Sequence, residues 1–420
     1  MIISFSMQNF RSIREKVTLD FRATSDKHQE EYFVVDIPKP RMRILKIAMI
    51  YGANASGKTS ILLALDFLRK LVIQPQQDKN AAIGIPAFAR ENHKTSFFEL
   101  GFWYKDIVYN YQLSILQNAI QSEELFYYPK GKRAEVFIRK LTPGKGYEYH
   151  WNEKLFKKST RDVLELTIQN QTILARIASI EDSSPLQDAH DWFRFKLQPI
   201  LLPNMSLLRY TNELLINQGT NQKAIKQFLL DLLSRADLWI NDIDVNEEVV
   251  DASDVPVNMP VHFLNPPKPN AKPTFIKYDF GFVHKLDNES YTLDMKEESM
   301  GTQRFYGLGA ILLSLIRGRV TMPIDEIESS LHNDLLFHFI AMFLRNSRQG
   351  QLIFTSHNTA LLNEKAITRR DCIWITDRKS DGSTELTPVS DYPVRKEHAI
   401  DSLYRKGLLG GKPNLGSNEL

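Results

Sequence analysis

Apolar positions mark strand-like stretches along the first 150 residues, IISFSM, VTLDF, ILKIAMIY, FFELGFWY, IVYNYQLSIL and AEVFIRK, several of them alternating with polar residues at period two. Such alternation predicts half-buried strands. One change of period interrupts them. In SILLALDFLRKLVI the residues Ile61, Leu62, Leu65, Leu68 and Leu71 fall on one side of a helix and predict a buried helical face. From about 159 to 240 the period is helical, as in DVLELTIQNQTILARIASI, AHDWFRFKL and AIKQFLLDLLSRADLWI. Pro185, Pro199 and Pro203 break this block into a few packed helices and argue against a long coiled coil. The proline-rich stretch 251–273 reads as a surface linker. Strand patterns follow in FIKYDFGF and SYTLDM, then a helix in QRFYGLGAILLSLIRG, then three strand–helix alternations; no internal repeat is visible. The pattern divides the chain into 1–155, 156–250 and 251–420, an α/β organisation with a helical insertion.

Composition narrows the class without naming a partner. The 420 residues are 43% apolar, enough for a packed core, and the net charge is only +3, so no global field marks a nucleic-acid binder. A single cysteine, Cys372, excludes an intrachain disulfide and a cysteine-based zinc site, and in the apolar run DCIWIT it reads as a core residue. No run of about 18 apolar residues occurs and the first residues lack a leader pattern, so the expectation is a cytoplasmic protein with no membrane partner.

Residues 52–59, GANASGKT, fit G-x-x-x-x-G-K-[ST] between a predicted strand and a predicted helix, the context that the pattern requires. Gly52 and Gly57 let the backbone wrap so that successive N–H groups meet phosphate oxygens at the positive end of the following helix. Lys58 then reaches the β- and γ-phosphates and the Thr59 hydroxyl faces Mg²⁺. A glycine-capped turn is the plain alternative, but strand, loop and helix together favour a nucleoside triphosphate.

The second half of the chain carries the matching chemistry. In RVTMPIDEIESSLH a strand ends in Asp325 followed directly by Glu326: the first carboxylate can serve the Mg²⁺ shell and the second can polarise the attacking water. An acidic helix start is the plain alternative. QLIFTSHNTAL is another strand ending in a polar turn, and it puts His357 where it can meet a γ-phosphate. Upstream, EESMGTQRF opens a helix, and Ser299 and Gly301 make a second anion-binding surface at its N-terminus. One phosphate loop has no use for two phosphate sites on one lobe, so the expectation is a dimer in which this segment closes on the partner's nucleotide.

The order GANASGKT, SMGTQ, MPIDEIESSLH, TSH resembles the ABC-type ATPase head of the SMC, RecF and OLD group, and QNFRSIREKVTLDF resembles the start of those proteins. More narrowly, GANASGKT, the ESSLH after Glu326 and the ending DRKSDGSTELTPVSDY…YRKGLLGGKPNL resemble the AAA15 family of stand-alone bacterial ATPases of the RloA and AbiL type, which are linked with abortive infection. The resemblance implies an ABC-type P-loop NTPase head, a mixed β-sheet lobe plus a helical lobe, with 1–155 and 251–420 as its halves and 156–250 as a short inserted arm. It implies that Gly52, Asn54, Ser56, Gly57, Lys58, Thr59 and Ser60 hold ATP, with Arg11 beside them. Ser299, Gly301 and Gln303 would be the signature acting in trans. Thr59 and Asp325 would hold Mg²⁺, Glu326 would be the general base, His357 the switch histidine, and Ser329 and Ser330 the loop crossing the dimer. The chain departs from the usual pattern at Met300, where a small residue is common, and offers no convincing Q-loop glutamine, since Gln74, Gln76 and Gln77 come too early.

What the ATPase drives follows from what is attached. The resemblance implies a homodimer or larger homo-oligomer in anti-phage defence, controlling a separately encoded, nuclease-like effector protein. The chain shows no nuclease constellation of its own; Asp371, Asp377 and Asp381 flank a strand and a turn and read as structural. The alternative is a RecF- or SMC-like repair or recombination ATPase, with nucleic acid held by Arg139, Lys140, Lys157, Lys158 and Arg161.

Overall fold

A computed structural model gives the fold. It describes residues 1–89, 91–180, 184–217, 221–251, 261–263, 274–287, 289–393 and 398–412. Most of the expected linker 251–273, and the end of the glycine-rich tail from 413, lie outside the described residues.

The N-terminal half begins with β1 (Ile2–Gln8) and β2 (Val17–Asp20), the ribbon β3 (Val34–Pro38) and β4 (Arg41–Leu45), then β5 (Ile47–Gly52) and helix α1 (Lys58–Ile73). A meander follows: β6 (Ser96–Tyr104), β7 (Ile107–Leu116), β8 (Ala119–Tyr127), β9 (Ala134–Thr142) and β10 (Gly146–Trp151). Helices α2 (Leu207–Asn217) and α3 (Gln222–Arg235) precede β11 (Asp242–Asp251), β12 (Val261–Phe263), β13 (Thr274–Leu286) and β14 (Glu289–Asp294). Then come α4 (Met300–Leu313), β15 (Thr321–Ile324), α5 (Asn333–Asn346), β16 (Gln351–Thr355), β17 (Ile373–Arg378) and β18 (Thr384–Pro388).

The chain forms two compact units. The first holds Met1–Pro203, Ser314–Glu328 and Ile340–Leu420; the second holds Asn204–Leu313 and Ser329–Phe339. The first contains a seven-stranded antiparallel sheet in the order β10-β9-β8-β7-β6-β1-β2 and a five-stranded sheet in the order β15-β16-β5-β17-β18. In the latter, β15, β16, β5 and β17 run parallel and β18 antiparallel. All six residues of β5 are buried, as expected of a strand covered on both faces. Helix α1 buries Ile61, Leu62, Leu65 and Leu68 in the core of this unit; each such side chain stabilises by roughly 1.5–3 kcal/mol. Leu71, expected on that face, is only partly buried, and Val72 takes the inner position.

The second unit has a sheet in which β13 pairs with β11, β12 and β14, together with α2, α3 and α4. Close helix packing here depends on glycine: a Cβ on Gly307 would lie 2.4 Å from Leu207 Cβ, and one on Gly309 would lie 2.5 Å from Leu229 Cδ2.

Two expectations about organisation are corrected. The helical block 156–250 is not one arm. Its first part is packed into the core of the first unit, where Leu164, Ile173, Leu174, Leu186, Trp192, Phe193 and Leu197 are fully buried, while α2 and α3 belong to the second unit. Apolar faces on both parts drive this division, and a polar-faced excursion of the chain would have left them exposed. Of the three C-terminal strand–helix alternations, β15-α5-β16 forms as expected, whereas only short 3₁₀ turns separate β16 from β17, and β17 leads straight into β18, with a six-residue helix, Ile400–Arg405, beyond it.

Candidate functional site

The parallel strands of the five-stranded sheet end together, and the loops at their C-terminal ends converge, which is where open parallel sheets place their ligands. β5 ends at Gly52, and the loop 52–57 delivers α1 at Lys58. Both glycines are required by space as well as by conformation. Gly52 has φ 153° and a Cβ there would lie 2.2 Å from Thr376 Oγ1; Gly57 has φ 105° and a Cβ there would lie 2.0 Å from Thr384 Oγ1. The loop is braced from beneath by hydroxyls. Ser56 Oγ and Thr376 Oγ1 are 2.5 Å apart, Thr384 Oγ1 lies within hydrogen-bond distance of Ser56 O (2.9 Å) and Ser12 Oγ (2.8 Å), and Ser12 Oγ donates to Ser60 Oγ (2.9 Å).

A cavity of about 600 Å³ opens above the loop, lined by Arg11, Asn54, Gly57, Lys58, Thr59 and Ser60 on one side and by Glu326 and His357 on the other, with Ser12, Ala55 and Pro86 completing it. The structure thus brings Arg11 to the site; its backbone N–H donates to Pro86 O at 2.6 Å. Lys58 Nζ donates to the carbonyls of Gly52 (2.9 Å) and Ala53 (3.0 Å). Burial pushes its pKa down, against the opposing pull of the carboxylates of Asp325, Glu326 and Glu328.

Asp325 leaves β15 almost fully buried, its backbone N–H held by Leu201 O at 2.8 Å. Its carboxylate accepts from Thr59 Oγ1 (3.1 and 3.0 Å) and from Thr355 Oγ1 (2.6 Å). Thr355, the last residue of β16, also accepts from Glu326 N at 2.8 Å through the same hydroxyl, and its carbonyl accepts from Ile327 N at 3.2 Å. Glu326 has φ 46°, a conformation that costs a non-glycine residue energy and that turns its side chain away from the strand direction. Its side chain is 46% exposed, open to water, and its Oε1 lies 4.0 Å from His357 Nε2. His357 is positioned by its backbone N–H, which donates to Glu328 Oε1 at 2.5 Å. Burial, reinforced by the Lys58 charge, lowers the imidazole pKa below its usual 6.5.

Ser299, Gly301 and Gln303 belong to the second unit, whereas every residue lining the cavity belongs to the first. Ser299 Oγ accepts from Thr302 N at 3.1 Å and so caps α4, and the Gln303 amide donates to Glu298 O (2.8 Å) and Lys296 O (3.2 Å). Met300 is 70% exposed, and a Cβ on Gly301 would sit 3.4 Å from Ser330 O. Two other readings change. Arg139 is no surface cation: it is fully buried, donates to Gln171 O, Thr167 O and Ile168 O, and lies 3.6 Å from the equally buried Glu123 carboxylate. Arg161 is held by Glu153 at 2.8 Å. Asp371 is held by Arg369 and Thr24, and Asp381 by Ser383 and Arg14.

Sequence reasoning missed Thr355 and the brace of Ser12, Thr376 and Thr384. Thr355 carried a signal, since it directly precedes the Ser-His pair at a strand end; the other three are single hydroxyls with no local pattern.

A strand–loop–helix phosphate loop facing an Asp-Glu pair at the next strand end but one defines a P-loop ATPase on an α/β scaffold. Residues 47–363 match the family model described as "AAA domain, putative AbiEii toxin, Type IV TA system", and the chain belongs to that family. A search of curated proteins finds no match to the sequence. Among solved structures, the chain is similar to an Smc head bound to the C-winged helix domain of ScpA (12% identity, 92% of this chain and 97% of that one, TM-score 0.46). It is also similar to the SMC head domain from Thermotoga maritima (12% identity, 92% and 98% covered, TM-score 0.42). A third is the Smc head with an extended coiled coil, bound to a ScpA C-terminal domain derived from Pyrococcus furiosus (11% identity, 92% and 95% covered, TM-score 0.39).

Proposed function

We propose that the protein hydrolyses ATP to ADP and phosphate at this cavity, as an ABC-type ATPase that works as a homodimer or larger homo-oligomer. The observation that carries the reading is the convergence of Lys58, Thr59, Glu326 and His357 on one cavity, with Asp325 behind Thr59. The triphosphate lies along the loop amides, and Lys58 exchanges its two loop carbonyls for β- and γ-phosphate oxygens. Glu326 accepts a proton from the water whose oxygen bonds to the γ-phosphorus as the bond to the β–γ bridging oxygen breaks, and the electron pair leaves with ADP. Neutral His357 hydrogen-bonds to the transferred group.

The donors at the loop fit Mg²⁺. The Thr59 hydroxyl and the Asp325 carboxylate are hard oxygen ligands 3.0 Å apart, and Mg²⁺ takes one or two such groups plus substrate phosphates. When bound, the ion neutralises charge on the β- and γ-phosphates.

Ser299, Gly301 and Gln303 of one subunit complete the site of the other, presented at the N-terminus of α4. The process driven is anti-phage defence of the abortive-infection kind: closing of the subunits controls a separately encoded, nuclease-like effector in the cytoplasm. The description of the family, which names a toxin–antitoxin system, supports this reading. No helix among the described residues is long and apolar enough to cross a membrane.

Mixing decides the shared site. Lys58→Ala and Ser299→Arg proteins, each inactive alone, regain activity when combined, because each mixed dimer holds one intact composite site. Absence of any recovery, with mixed dimers shown to form, contradicts the composition in trans. For the defence reading, phage challenge of cells carrying the locus with Lys58→Ala tests the link: unchanged protection argues against it.

A further inference from the structure

A second cavity, of about 380 Å³, lies in the first unit and shares no lining residue with the ATP site. Its wall includes Lys196, Arg319, Gln349 and the indoles of Trp103 and Trp192, with Asp106 at the β6–β7 turn. Arg319 and Gln349 lie two residues before β15 and β16. The cavity therefore lies toward the N-terminal ends of the same parallel strands whose C-terminal ends form the ATP site.

Two cations of this wall, Lys196 and Arg319, hydrogen-bond only to neutral acceptors, and the wall also carries the Asp106 carboxylate. Lys196 donates to Gly318 O at 2.9 Å and Arg319 to Gln349 Oε1 at 3.3 Å, both neutral acceptors, and neither cation has a carboxylate within ion-pair distance among the described residues. Lys105 is paired with Asp188 at 2.5 Å, and the Met1 amino group donates to Trp103 O at 2.8 Å, with burial lowering its pKa to about 5. Lys196 and Arg319 line the same cavity, and burial together with the Arg319 charge lowers the pKa of Lys196. A dianion between them takes charge-assisted hydrogen bonds from both.

We propose that this cavity binds a small phosphate monoester. Two cations match the charge of about −1.5 to −2 that a phosphate monoester carries near neutral pH. The volume lies in the range of small-molecule sites, on the order of 300–1,000 Å³, and exceeds what inorganic phosphate alone would fill. Asp106 offers a hydroxyl-bearing body an acceptor. The inference stands apart from the reaction at the ATP site.

The experiment uses the full chain carrying Lys58→Ala, which silences the phosphate loop, titrated with ribose 5-phosphate and with inorganic phosphate. Calorimetry reads the affinity, and tryptophan emission reads the site through Trp103 and Trp192. Ribose 5-phosphate is expected to bind saturably at one site per chain, more tightly than inorganic phosphate, and to change the emission. Adding Lys196→Gln or Arg319→Gln weakens it tenfold or more; Arg319 is exposed, so its variant keeps the fold even if the Lys196 variant does not. No saturable binding, or binding unchanged by Arg319→Gln, overturns the proposal.

Discussion

Thr59 and Asp325, 266 positions apart, are hydrogen-bonded: the Thr59 hydroxyl lies 3.1 and 3.0 Å from the two carboxylate oxygens of Asp325. This contact joins the phosphate loop to the end of β15. It also puts a hydroxyl and a carboxylate side by side at the first residues of α1, where metal and phosphate are expected together. Thr355 completes the arrangement by holding Asp325 and the backbone of Glu326 with a single hydroxyl.

That double role makes Thr355 testable. Thr355→Val keeps the shape but removes the donor to Asp325 and the acceptor for Glu326 N. Loss of the bond to the Asp325 carboxylate costs roughly 1.5–3 kcal/mol and loss of the neutral bond from Glu326 N roughly 0.5–1.5 kcal/mol. The ATP turnover rate should fall about tenfold or more, with ATP affinity changed far less. Steady-state kinetics and equilibrium binding separate the two, and an unchanged turnover rate contradicts the role assigned to this residue.

Gly57→Ala should damage the loop itself. The new methyl would meet Thr384 Oγ1 at 2.0 Å, and the positive φ alone costs on the order of 1–3 kcal/mol in an L-residue. A lowered thermal midpoint together with weakened ATP binding is expected. A variant as stable as the parent would show that the loop does not hold this geometry.

His357 sets a pH response. Its folded-state pKa lies below the unfolded value of about 6.5, so the native state binds fewer protons. The imidazole is neutral at pH 7, and its contribution to stability is lost as pH falls below 6.5. In nucleotide-free protein, imidazole NMR should show a midpoint below 6.5, and a lysine-to-methionine change at Lys58 should move it up. A midpoint above 6.5 in the parent would contradict the placement of Lys58 beside it.

The buried pair Arg139–Glu123 makes the opposite kind of prediction. Removing one partner of a buried ion pair typically costs about 3–5 kcal/mol, whereas the neighbouring exposed Lys140 should tolerate alanine with little change. Urea unfolding of Arg139→Ala and Lys140→Ala distinguishes them. Equal, small effects would mean that Arg139 is at the surface after all.

How much of this could be read from the sequence depends on how local each signal is. The phosphate loop, Asp325-Glu326 and His357 sit within short motifs at strand ends, and the structure brings all three to one cavity. Strands β8 and β10 lie outside the stretches with a clear strand pattern: in AIQSEELFY the adjacent Glu123 and Glu124 interrupt the apolar positions although Glu123 is buried, and GYEYHW is short with exposed polar positions. Arg139 reads as a surface cation by type, yet it follows Phe137 by two in a strand and so shares its inward face; Glu123, from the adjacent strand, explains why that is tolerable. The hydroxyl brace of Ser12, Thr376 and Thr384 comes from three remote segments, and only the folded chain assembles it. The 156–250 block misled because helical period says that a segment is a helix and nothing about which core receives it.

The central claim, that Glu326 is the base of an ATP-hydrolysing site built on Lys58, is tested most directly by one comparison: ATP binding and phosphate release by the parent, Glu326→Gln and Lys58→Ala proteins under the same conditions. Glu326→Gln is predicted to bind ATP within a few-fold of the parent while releasing phosphate about 10²–10⁴-fold more slowly, the range typical of a lost general base. Lys58→Ala is predicted to lose binding. Phosphate release by Glu326→Gln at the parental rate would contradict the account.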